Sequence, residues 1–102
     1  MAIETSLDSA SQTLVIKISG RFDFGLHQDF RKATEQAAAT GVNKIIVNMG
    51  QVGYVDSSAL GMLLVLRDKV GDSKNAVLIK NAKPDVMKIL KIANFDKLFS
   101  LE

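Results

Sequence analysis

Three short apolar runs, "TLVIKIS", "KIIVNM" and "NAVLIK", alternate with stretches of helical periodicity, and this alternation limits the fold to a few topologies. β-Branched runs of this length read as strands. Strand–helix–strand units join parallel strands through right-handed crossovers. In the first run Leu14, Ile16 and Ile18 share one face, with Val15, Lys17 and Ser19 on the other. The preceding "AIETSL" also alternates, and "DSASQ" between them has turn composition, so the pair reads as a β-hairpin that Gly20 ends. Leu26, Phe30, Ala33 and Ala37 form the stripe of a first helix, with Asp23 as its N-cap and Gly41 as its left-handed stop. Ala59, Leu60, Leu63, Leu66 and Val70 form the core stripe of a second, which runs from Ser57 to Val70. Pro84 suits the first turn of a third, whose stripe is Val86, Met87, Leu90 and Ala93 and whose stop is Asn94. "FDKLFSLE" is left as a short turn of helix or a last strand. The expected fold is a single α/β domain over residues 1–102, in the order β-β-α-β-α-β-α, with a mixed sheet of four to five strands and three to four α-helices.

A chain of 102 residues suffices for one core. Its 47% apolar and 24% charged residues are ordinary for a globular protein. The net charge of +2 is too small to argue for a nucleic-acid partner. Cysteine is absent, which excludes disulfides and thiolate chemistry, and a lone histidine excludes a multi-histidine metal site. No apolar run is long enough to cross a bilayer, and no leader pattern opens the chain. The expectation is a cytoplasmic domain without cofactor, metal or direct membrane binding, monomeric when free.

The segment "YVDSSALGMLL" asks for a second explanation. A helix start needs one capping residue, and here Asp56, Ser57 and Ser58 stand together with Gly61 one turn on. In projection Ser57, Ser58, Gly61, Val65 and Asp68 lie opposite the core stripe, with Met62 and Leu64 flanking. A solvated face would carry lysine and glutamate; this small, partly apolar one can receive a partner. A phosphate at a helix start is held by free N–H groups and the positive end of the helix dipole. It would add roughly −1.5 to −2 charge to that contact face without unfolding the helix. Capping chemistry alone also accounts for Asp-Ser-Ser. Gly61 costs about 1 kcal/mol relative to alanine in a helix, which calls for either close approach of another backbone or a packing contact in the core.

"VDSSALGMLL" closely resembles the phosphorylation segment of STAS-domain proteins of the anti-sigma factor antagonist type, matching at Asp56, Ser57, Ser58, Ala59, Leu60 and Gly61. "GRFD", Gly20 to Asp23, resembles that family's Gly-x-Leu-Asp segment with Phe for Leu, and "AKPDVMKILKIANFDKLF" resembles its closing helix. The resemblance implies a partner switch. The unphosphorylated form binds a serine kinase/anti-sigma factor of the ATPase/histidine-kinase fold, phosphorylation releases it, and a metal-dependent serine phosphatase resets the cycle. It implies Ser57 as the phosphoacceptor, Ser58 as a minor one, Asp56 and Asp23 as its surroundings, and no catalytic residue in this chain. Two other roles of such domains stay open: an accessory subunit of an ABC-type lipid transporter, and a ligand-sensing module.

An enzymatic reading of Ser57 lacks support. His27, beside Gln28 on the first helix, reads as a surface residue, and neither a G-x-S-x-G elbow nor a P-loop occurs. Lys80, Lys83, Lys88, Lys91 and Lys97 make the last third basic, which suits a solvated face or an acidic partner. Phe95 and Phe99 are expected in the core. For Phe22 and Phe24 the spacing leaves core and partner contact open.

Overall fold

The structure, a computed structural model, describes residues 2–71 and 76–102. Five strands form one sheet in the order β1-β2-β3-β4-β5: β1 Ile3–Asp8, β2 Thr13–Phe22, β3 Lys44–Val55, β4 Val77–Lys80 and β5 Ser100–Leu101. β1 and β2 are the expected antiparallel hairpin, and the other pairings are parallel. Three α-helices connect the parallel strands: α1 His27–Thr40, α2 Ser57–Val70 and α3 Pro84–Ile92. Each crossover advances one strand in the same direction. With right-handed connections all three helices then cover one face. That face supplies Leu14, Ile16, Ile18, Ile45, Val47, Met49, Val77 and Ile79 to the core, where they meet Phe30, Ala33, Leu63, Leu66 and Leu90 from the helices. The opposite face of the sheet carries Val15, Lys17, Ile46, Asn48, Leu78 and Lys80 in register.

The predicted elements are present, and three details differ. Asn75, the first residue of the "NAVLIK" strand, lies outside the described residues. β1 pairs Ile3, Thr5 and Leu7 with Ile18, Ile16 and Leu14, yet only Ile3 is buried, because β1 is an edge strand at the border of the helical layer. Gly20 does not end β2, and β3 continues beyond the "KIIVNM" run to Val55. Both strands run on with register shifts between Lys17 and Ser19 and between Gly20 and Arg21, and Gly20 takes φ +83°. Glycine tolerates this φ, and the extra residues that shift the register lie on β3, between Asn48 and Gln51 and between Val52 and Tyr54. The shifts bring buried Phe22 opposite buried Val55 at the ends of the two strands. Asp23 caps a 3-10 turn, Phe24–Leu26, which runs into α1; α1 itself has Leu26 at its N-cap, without a side-chain cap bond.

Gly41 closes α1 at φ 63° and Asn94 follows α3 at φ 63°, both as expected from the sequence. The tail is both of its alternatives, a 3-10 turn at Phe95–Lys97 and then β5. Phe95 and Phe99 are core residues with ring centroids 5.1 Å apart. The guanidinium Nε of Arg67 on α2 donates to the Leu98 carbonyl at 3.0 Å and fastens the tail to the helical layer. Among the described residues no helix is long and apolar enough to cross a membrane.

Candidate functional site

The parallel strands β2 and β3 end side by side, and each hands its chain to a helical turn at once. Their junctions are tied together by Asp56. Its backbone N–H donates to the Phe22 carbonyl at 3.3 Å. Its Oδ1 accepts the Ala59 N–H at 2.8 Å, the N-cap bond of α2. Its Oδ2 accepts the Phe24 N–H at 3.3 Å from the neighbouring loop. The Asp56 carbonyl accepts the Leu60 N–H at 3.3 Å. One residue thus does the capping that the sequence distributes over three. Of the four N–H groups at the helix start, those of Asp56 and Ala59 are taken, and those of Ser57 and Ser58 have no acceptor among the described residues.

Ser57 is therefore free of structural duty. It is the first residue of α2, exposed, and its hydroxyl makes no hydrogen bond to any described residue. Ser58 is half-buried and turns toward a groove between α1 and α2. Asp23 lies in the adjacent loop. Its Oδ1 accepts the Gly25 N–H at 2.9 Å and its Oδ2 meets Arg21 Nε at 3.4 Å. Arg21 is in turn laid over the Tyr54 ring, 4.0 Å from its centroid. This pair is solvent-exposed and contributes more to placement than to stability.

The groove has a volume of about 470 Å³. Phe24, His27, Phe30 and Thr34 line one wall; Ser58, Met62, Val65 and Lys69 line the other. Phe24 is 61% exposed and Val65 52% exposed, so two large apolar side chains stand at its rim. Of the residues singled out in the sequence, Gly61, Val65 and Asp68 are exposed, and Met62 is half-buried beside them. The site also includes two residues that sequence reasoning did not place there. Phe24 turns outward while Phe22 is fully buried, and His27 is half-buried with its ring stacked on Phe24 at 4.4 Å. Alternation alone would place Phe22 and Phe24 on one face; the chain leaves the strand after Phe22, and the turn capped by Asp23 points Phe24 outward.

Gly61 resolves one of the two alternatives posed for it. It is exposed, and a Cβ built there meets no atom within 4 Å. Packing within the core does not require the glycine. Among the described residues no cluster of His, Cys, Asp and Glu could hold a metal ion.

Comparison with known proteins agrees with this architecture. The STAS domain family model matches residues 4–102. A STAS-domain containing protein of Pseudomonas aeruginosa (strain UCBPP-PA14) is 51% identical over 102 residues, covering 99% of each chain. The anti-sigma factor antagonist SpoIIAA in its unphosphorylated form superposes with a TM-score of 0.76 at 22% identity, over 99% of this chain and 87% of that one. The Bacillus SpoIIAA in its phosphorylated form superposes equally well, with a TM-score of 0.75 at 20% identity over 99% and 91%. A sulfate transporter family protein from Wolinella succinogenes shares the fold at a TM-score of 0.73 and 15% identity, over 90% of this chain and 73% of that one. At these identities the solved structures establish the fold, and the family match extends over nearly the whole chain: it belongs to the STAS domain family.

Proposed function

We propose that this protein is an anti-sigma factor antagonist whose partner binding is switched at Ser57. In its unmodified form it binds a serine kinase/anti-sigma factor of the ATPase/histidine-kinase fold, through Ser57, Gly61, Met62, Val65 and Asp68 on α2 together with Phe24. The kinase transfers the γ-phosphoryl group of ATP to Ser57 Oγ. The new O–P bond forms as the bond to the departing ADP breaks, and the hydroxyl proton passes to a base of the kinase. This chain supplies the acceptor and the surface, and no catalytic group. Ser58 is the minor acceptor, and a metal-dependent serine phosphatase restores the hydroxyl.

The observation that carries this reading is the division of labour at the α2 start. Asp56 satisfies the cap, so the exposed Ser57 hydroxyl has no structural task, yet it stands beside a groove with two exposed apolar residues at its rim. The N–H groups of Ser57 and Ser58 are available to a phosphate, which α2 then tolerates without refolding. The likeness to SpoIIAA in both forms supports a switch that leaves the fold intact. The test is incubation with the cognate kinase and ATP, with mass mapping of the product and binding measured for Ser57→Ala and Ser57→Asp. One phosphate on Ser57, retained binding in the alanine variant and weakened binding in the aspartate variant are expected. Labelling confined to Ser9 or Ser11, or equal affinity of modified and bare protein for the kinase, would refute the assignment.

A further inference from the structure

The excess positive charge of the chain is not spread evenly. Between Lys80 and Lys97 five lysines accompany two aspartates, Asp85 and Asp96, an excess of three that exceeds the +2 of the whole chain. All five lysines are exposed, and none of them forms an ion pair with a described residue. The same segment holds the most exposed large apolar residue among the described ones, Ile92 at 72%, and Ile89 at 39%.

Lys80 lies on the opposite face of the sheet, and helix α3 gathers Lys88 and Lys91 with Met87 and Ile92 on its outer side. Val86 and Leu90 face the core, so the opposite side presents Pro84, Met87, Lys88, Lys91 and Ile92, which line a shallow depression. Two lysines, a methionine and an isoleucine thus share one depression. α3 bridges β4 and β5, α1 bridges β2 and β3, and α2 lies between them in the layer. The surface therefore faces away from the α1–α2 groove.

We infer that the outer face of α3 is a second docking surface, for an acidic partner protein whose contact segment carries carboxylates around an aliphatic side chain. Charge complementarity selects the partner's sign. The exposed Ile92, with half-buried Met87 beside it, sets it apart from a merely solvated lysine face, because an aliphatic centre with a charged rim is the anatomy of a protein contact. Nucleic acid would meet lysines without arginine or an aromatic stacking residue on this face. A membrane would find only two or three aliphatic residues on a nine-residue helix. Its position behind α2 lets this surface be occupied whatever the state of Ser57.

The test is titration of the isotope-labelled full chain, followed by amide NMR, with a synthetic amphipathic peptide bearing glutamates and leucines at helical spacing. Polyglutamate of equal charge and phosphatidylglycerol vesicles serve as the other two probes. Shifts on residues 84–92 are expected, with binding at least about tenfold weaker in K88E/K91E and in Ile92→Ser, and unchanged in Ser57→Asp. Thermal midpoints of all variants should match the parent, since every altered side chain is exposed. Equal binding of polyglutamate would reduce the surface to unspecific charge and overturn the proposal. So would tighter binding of the vesicles, shifts that fall elsewhere, or sedimentation showing that α3 is covered by a second copy of this chain.

Discussion

Removing the Asp56 carboxylate should show how much of the site's geometry rests on one side chain. Asp56→Ala deletes the N-cap bond to Ala59, 2.8 Å long and partly buried, and the bond to the Phe24 N–H, 3.3 Å and exposed. Loss of a cap of this kind costs about 1 kcal/mol. The longer, exposed bond adds about 0.5 kcal/mol, the low end for an intramolecular hydrogen bond. The sum, about 1.5 kcal/mol, corresponds to a fall in melting temperature of roughly 6–12 °C for a domain of this size. Urea unfolding at constant slope would measure it directly. Asp56→Ser separates the two bonds: the hydroxyl keeps the cap but cannot also reach the Phe24 N–H, so about 0.5 kcal/mol should be lost. The same variant frees the loop bearing Phe24 and should slow phosphorylation by the cognate kinase more than it lowers stability. If Asp56→Ala costs under about 0.3 kcal/mol, or if Asp56→Ser is as damaging as Asp56→Ala, the division of labour between Asp56 and Ser57 is wrong.

Val65→Lys should change unfolding free energy by no more than about 0.5 kcal/mol, because the residue is 52% exposed, and should abolish kinase binding in a pull-down; a large stability loss would place Val65 in the core instead. Gly61→Ala should raise stability by up to about 1 kcal/mol, since the new methyl meets nothing in the chain, while weakening kinase binding measured by calorimetry. Gly20→Ala should lose about 1–2 kcal/mol in denaturant titration, as its φ of +83° is strained for a residue with a Cβ although the space around it is open.

The strands and helices were legible because each buries one face, and burial writes a period into the sequence. Leu14, Ile16 and Ile18 announce a strand as plainly as Ala59, Leu63 and Leu66 announce a helix. What was not legible depends on contacts between distant segments. The apolar run "KIIVNM" ends at Met49, yet β3 runs on through Gly50 and Gly53 to Val55, where it is laid beside β2 with two register shifts. The direction of Phe24 is fixed by the turn that Asp23 caps and by the bond from its N–H to Asp56, thirty-two residues away. Of the candidate site, the start of α2 and the exposed face of that helix could be read from spacing. The wall contributed by α1 could not, because a groove belongs to two helices and no local pattern records their meeting.

That second wall bears on how a phosphate at Ser57 would act. A group confined to the helix end could be avoided by a partner that docked further along α2, around Val65. Phe24 prevents this escape. It is held to Asp56 by its backbone and to His27 by ring stacking, and its side chain lines the same groove as Ser58, Met62 and Val65. A partner filling the groove against Phe24 must also pass over the first turn of α2, where two N–H groups would hold the phosphate in place. Charge and bulk at Ser57 then oppose docking along the whole groove, although the groove's own lining is unaltered. Phe24→Ala tests this step: it should weaken binding of the bare form and, by opening a path clear of the helix end, shrink the difference in affinity between Ser57→Asp and the parent.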